Sequence, residues 1–158
     1  MTLPSPSSAP CAPWGGAASV FDGLEGAWQL MRTIEGQAEM RGVARFTREG
    51  PDSLHYREDG RVRLANGQSF DGHREYRFER APDGLAVFFA ETPPRLFHAI
   101  ALAPDGDGWT GAATHLCTPD TYESRYRFLA DGRFVIQHTV HGPRKAYVSE
   151  TVFRRPGD

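Results

Sequence analysis

From Gly26 onward no long stretch repeats apolar residues every three to four positions; runs of eight to twelve residues alternate apolar and polar instead. That period of two is the signature of half-buried strands. It predicts strands at 26–34, 38–48, 53–59, 61–65, 68–80, 84–91, 95–103, 108–117, 121–130, 133–141 and 144–154. Turn residues punctuate them: Asp59-Gly60, Asn66-Gly67, Asp83-Gly84, the run Asp105 to Gly108, Asp131-Gly132 and Gly142-Pro143. Consecutive strands joined by tight hairpins make a meander. About ten of them close most naturally into an all-β, single antiparallel up-and-down barrel, because closure removes exposed edges. The one helical signal is a turn around Ser19–Leu24.

Residues 1–20 carry no charge and are rich in Pro, Ser, Ala and Gly. They read as a disordered or surface-draped tail, with Trp14 tacked onto a barrel domain of residues 21–156. The stretch lacks a basic start and a continuous apolar run, so it is not read as a signal peptide. The chain has 158 residues, 39% hydrophobic and 24% charged, with a mean hydropathy of -0.50. This size and composition describe one soluble domain able to bury a core. A net charge of -2 argues against nucleic acid as a partner, and no apolar run is long enough for a spanning helix. Two cysteines, Cys11 and Cys117, are too few for a disulfide scaffold; they suggest a reducing compartment, with the cytoplasm as the default location. Oligomeric state is not legible.

Gly26-Ala27-Trp28 opens the first strand, and Arg154-Arg155 follows Thr151-Val152-Phe153 at the end of the last one. A Gly-x-Trp so placed, in a chain of this length and pattern, resembles the calycin superfamily of lipocalins, fatty-acid-binding proteins and nitrobindin-like barrels. The resemblance implies that Trp28 plugs the closed end and that Arg154 or Arg155 packs over its ring. The segments Arg74-Glu75-Tyr76, Phe97-His98, His115-x-Cys117-x-x-Asp120-x-Tyr122 and Val140 to Tyr147 are similar to a bacterial and fungal domain family of unknown function. That second resemblance covers most of 21–155 and implies a calycin-type barrel with no activity to carry over.

Hairpin arithmetic assigns the interior. A two-residue turn at 106–107 sets His98 opposite His115. A four-residue connection at 118–121 sets Cys117 opposite Tyr122 and His115 opposite Ser124. A three-residue loop at 130–132 sets Leu129 opposite Arg133 and Ser124 opposite His138. A two-residue turn at 142–143 sets His138 opposite Tyr147. The expected result is a belt of His98, His115, Ser124, His138 and Tyr147 on one face. That face also carries Leu96, Ile100, Trp109, Cys117, Tyr122, Tyr126 and Phe128. Its neighbours of opposite parity, such as Glu123, Arg125, Arg127 and Gln137, are more polar, so the belt faces inward. Trp28, Leu30, Arg32, Met40, Phe46, Tyr56, Phe70, Arg74, Tyr76, Phe78, Val87 and Phe89 share that side.

An aromatic lumen with a few His, Tyr and Arg heads is the general description of a small-molecule pocket. The ligand-binding candidates are His98, His115, His138, Tyr122, Tyr126, Tyr147, Arg74 and Arg32. The expected occupant is a small, largely apolar or amphipathic molecule with an acidic or hydrogen-bonding head. Arg32 or Arg74 would hold a carboxylate, or either would pair internally with Glu58 or Glu91. Two other occupants stay open: haem with an inward His as axial ligand, and a hydrophobic substrate worked on by a His/Tyr pair. No cofactor is specified, because no dense Cys/His cluster accompanies His115-x-Cys117, and no motif fixes a reaction. Asp120 reads as a turn former, and Cys117 sits too far along the strand from His115 for a poised thiolate pair.

Overall fold

The computed structural model describes residues 13–157. The first twelve residues of the expected tail lie outside that range. A 3₁₀ turn (Ala17–Ser19) runs into one turn of helix, α1 (Val20–Gly23), and eleven strands follow. They are β1 (Gly26–Ile34), β2 (Ala38–Gly50), β3 (Ser53–Leu64), β4 (Ser69–Ala81), β5 (Gly84–Phe89) and β6 (Arg95–Ala101). The remainder are β7 (Ala103–Asp105), β8 (Gly108–Cys117), β9 (Asp120–Phe128), β10 (Phe134–His141) and β11 (Ala146–Arg154). All neighbours pair antiparallel in the order β6-β5-β4-β3-β2-β1-β11-β10-β9-β8-β7. The two ends of this order meet where β6 lies against β8, so the sheet curls into a nearly closed barrel. At that seam a Cβ on Gly111 would stand 2.6 Å from the Ala101 carbonyl oxygen, so only glycine lets the strands approach this closely.

Alternation sorts the side chains as expected in β1, where Trp28, Leu30 and Arg32 are buried and Gln29, Met31 and Thr33 are exposed. One end of the barrel is solid. Trp28 stacks on Trp14 at 5.8 Å between ring centroids and meets Phe134 edge-on at 4.8 Å, with Phe128 and Phe46 completing the cluster. Val20, Phe21 and Leu24 are fully buried there, and Leu24 accepts a hydrogen bond from the Trp28 indole at 2.8 Å. Arg155, not Arg154, lies over Trp28, its guanidinium carbon 3.8 Å from the ring centroid. It also donates to the carbonyls of Ala27, Gly23 and Glu25. Outside, Arg48 and Arg80 tie α1 to the wall through Asp22.

Three expectations need correction. Asp59-Gly60 is not a turn: β3 runs through it unbroken, and Gly42, Gly60 and Gly72 stand opposite one another on β2, β3 and β4. A Cβ on Gly60 would stand 2.5 Å from the Arg41 carbonyl oxygen, so these glycines let the wall bend where backbones press together. Two hairpin registers shift by two residues. Cys117 faces Asp120 and His115 faces Tyr122; His141 faces Ala146 and His138 faces Ser149. The Leu129 amide does donate to the Arg133 carbonyl, and Ser124 does face His138. Lastly, a bulge between Val87 and Phe88 breaks the register of β5 against β6. It turns both Phe97 and His98 inward and leaves Leu96 outside, 48% exposed. His98 and His115 are not ladder partners, because β6 and β8 form no paired ladder.

Candidate functional site

The wall strands meet first in a buried ionic cluster. Arg32, on β1, lies opposite Met40 and Thr151, and Glu58 on β3 lies opposite Arg74. The Arg32 guanidinium donates to both Glu58 carboxylate oxygens, at 2.6 and 2.8 Å, and its Nε donates to Thr151 Oγ1 at 2.8 Å. Tyr56 donates its hydroxyl to Glu58 at 2.6 Å. Burial pushes the Glu58 carboxyl up, but Arg32, Tyr56 and Arg74 outweigh it and hold the group below the usual carboxylate range. Arg32 is therefore neutralised inside the protein, the internal pairing anticipated as one of its two roles.

Beyond this cluster, toward the open end, lies a cavity of about 250 Å³. Phe97 is its hub. Its ring stacks with Phe89 at 4.7 Å, Tyr76 at 6.0 Å and His138 at 5.8 Å, and meets His115 edge-on at 5.4 Å and Tyr122 at 6.1 Å. These separations are those at which aromatic pairs attract beyond simple burial. His138 is fixed by a 2.7 Å hydrogen bond between its Nδ1 and Ser124 Oγ. Burial, and after it Arg74 and Arg32, depress its pKa to about 4, so the ring is neutral at pH 7. His115 Nε2 is buried with no hydrogen-bond partner among the described residues.

Of the eight expected ligand-binding residues, six line this cavity: Arg32, Arg74, His115, Tyr122, His138 and Tyr147. His98 and Tyr126 do not. They lie behind Phe97, hydrogen-bonded to each other at 2.7 Å. Burial, then the neighbouring His138 and His115, drives the His98 pKa down to about 3. Sequence reasoning missed Phe97, which strict alternation between inward Leu96 and His98 would turn outward, and Arg95 at the rim. The bulge hides Phe97; three bulky residues in a row, Leu96-Phe97-His98, were the one local sign of it.

The charges around the cavity do not cancel. Three arginines line it and no carboxylate does. Arg32 is matched by Glu58, and Arg95 by Glu91 at 3.0 Å. Arg74 lies 5.9 Å from the Tyr76 ring centroid and has no ion-pair partner among the described residues. A second space, of about 150 Å³, lies across Arg32, Ile34 and Arg74, but Glu39 and Glu58 line it. The excess positive charge thus lies on the aromatic side. Among the described residues no group of three or more His, Cys, Asp or Glu is placed to hold a metal ion, and no helix is long and apolar enough to cross a membrane.

The chain belongs to a family of unknown function, DUF6314, which matches residues 24–155. No protein of curated function matches it. Among solved structures, the S-type phycobiliprotein lyase CPES from Guillardia theta is similar in fold, with 7% identity over 97% of this chain and 100% of that one and a TM-score of 0.52. A redesigned β-barrel, mFAP1, bound to DFHBI is 14% identical over 89% of this chain and 100% of that one, with a TM-score of 0.46.

Proposed function

We propose that the barrel reversibly binds a small, largely apolar molecule with an acidic head, seated in the 250 Å³ cavity. One observation carries the reading: the aromatic cavity is bordered by Arg74, a cation with no direct ion-pair partner among the described residues. An exposed guanidinium at the border of an aromatic cavity can grip a carboxylate with two parallel hydrogen bonds. His115 Nε2 offers a further polar contact for the head. His98 and Tyr126 act in this reading as support, holding Phe97 from behind. The exposed thiol of Cys117 fits a reducing compartment, the cytoplasm.

Native mass spectrometry of freshly purified protein, compared with its denatured mass, tests the proposal. A mass excess that disappears on denaturation is expected, together with a rise in melting temperature when apolar acids are added to stripped protein. Ligand-free protein whose melting no such acid shifts would overturn it.

A further inference from the structure

We infer that the occupant is a small aromatic carboxylic acid: one six-membered ring with a carboxylate on a short arm, bound as a monoanion. This narrows the ligand-binding reading above and rests on it. Size gives the first constraint. The cavity, at about 250 Å³, is about 1.7 times the ~150 Å³ space that holds one benzene, so six ring atoms scale to about ten heavy atoms. A long alkyl chain or a macrocycle exceeds that.

The walls give the second. Seven of the thirteen lining residues present aromatic or imidazole rings, and Ile34 is the one aliphatic side chain among them. Five of those rings already stack on or meet edge-on the sixth, Phe97. A planar ring entering the space extends this array and gains the electrostatic part of each ring contact, which an alkyl chain forgoes. Charge gives the third. With Arg32 and Arg95 each matched by one glutamate, the lining carries one unmatched positive charge, on Arg74. One carboxylate balances it. Because Arg74 borders the Tyr76 face, a carboxylate gripped there leaves a short arm pointing along the aromatic wall.

The test is isothermal titration of the full chain with phenylacetate, octanoate and phenylacetamide. All three share eight carbons and the same number of heavy atoms, so size is held constant. Phenylacetate is expected to bind roughly two- to tenfold tighter than octanoate, the gain associated with aromatic pairs. It should bind about tenfold or more tighter than phenylacetamide, through the charge-assisted contact. Arg74→Gln should abolish the preference for acid over amide. In the wild type, proton NMR should show ring-current shifts at the His115 and His138 imidazoles with phenylacetate and not with octanoate, which keeps the idea testable even if a cavity variant folds poorly. Octanoate binding as tightly as phenylacetate, or the amide as tightly as the acid, overturns this inference and leaves the ligand-binding reading standing. No binding by any of the three, in protein that carries no co-purified ligand, sinks both.

Discussion

Mild acid should weaken this protein from the inside. His98 and His138 are held neutral, the first at a pKa of about 3 by burial and then His138 and His115, the second at about 4 by burial and then the two arginines. An unfolded histidine titrates near 6.5. Below that pH the unfolded chain takes up protons that the folded rings refuse, so stability falls until the folded pKa is reached. At pH 5 the deficit is about 1.5 pH units for each ring, or ~2 kcal/mol at 1.36 kcal/mol per unit, and about 4 kcal/mol for the two. The ordinary stability of a domain is roughly 5–15 kcal/mol, so the loss is large. The paired carboxylates of Glu58 and Asp22 are held below the usual range and titrate at lower pH, which reserves the interval from pH 6.5 to 5 for the imidazoles. Urea unfolding followed by the fluorescence of buried Trp14 and Trp28 measures the effect. With a slope of ~2 kcal/mol/M, the midpoint should drop by about 2 M between pH 7 and pH 5 while the slope stays constant. A drop of about 1 M would show that one of the two rings takes up its proton in the folded state, and a drop of less than about 0.5 M that both do, in which case the account of the neutral His belt would be wrong.

Other perturbations test other parts of the argument. Glu58→Gln strands the Arg32 guanidinium in the interior and should cost about 3–5 kcal/mol in chemical denaturation, most of it recovered in the double variant Arg32→Met/Glu58→Met. Arg155→Ala removes a cation over Trp28 and three carbonyl contacts, for an expected loss of about 2–4 kcal/mol that Arg155→Lys should not restore, since lysine cannot stack and fork together. Gly60→Ala forces a Cβ against the Arg41 carbonyl and should lower stability by about 1–3 kcal/mol, which thermal unfolding would register. Arg74→Gln should raise the His138 pKa above about 4, read by NMR titration of its imidazole, yet leave it under 6.5 because burial is the larger cause.

Which features were legible in the chain follows from how far each one's cause lies along it. Alternation is local, so the inward set of Trp28, Leu30 and Arg32, and the barrel they imply, could be read directly. The loop at Ala130 to Gly132 was also readable, because Gly132 takes a positive φ of 94° that its residue type announces. Asp59-Gly60 looks the same to a local rule, but Gly60 serves two other strands: Gly42 and Gly72 face it from either side. The reason for that glycine lies about a dozen or more residues away in both directions, where turn chemistry does not look.

The candidate site survived wrong registers for a reason of parity. The turns at 118–119 and 142–145 place the partners of His115 and His138 two residues from where hairpin arithmetic put them. A slip of two moves a side chain along the barrel and leaves it on the same face, so His115, Tyr122, His138 and Tyr147 still converge on the lumen. A slip of one reverses the face. The bulge opposite Val87 is such a slip, and it accounts for the errors at Leu96 and Phe97. The consequence for the chemistry is unequal. Losing Phe97 from the expected site hid the ring around which the cavity is organised, whereas the misplaced partners of His115 and His138 changed nothing about what faces the cavity. Arg74 was visible as inward by the same parity, but its importance is a matter of counting charges in space. It matters because Glu58, directly across the ladder from it, is already taken by Arg32 from a strand two places away. Competition between two arginines for one buried carboxylate leaves the loser facing an aromatic void, and that residual charge is what a ligand would be selected to meet.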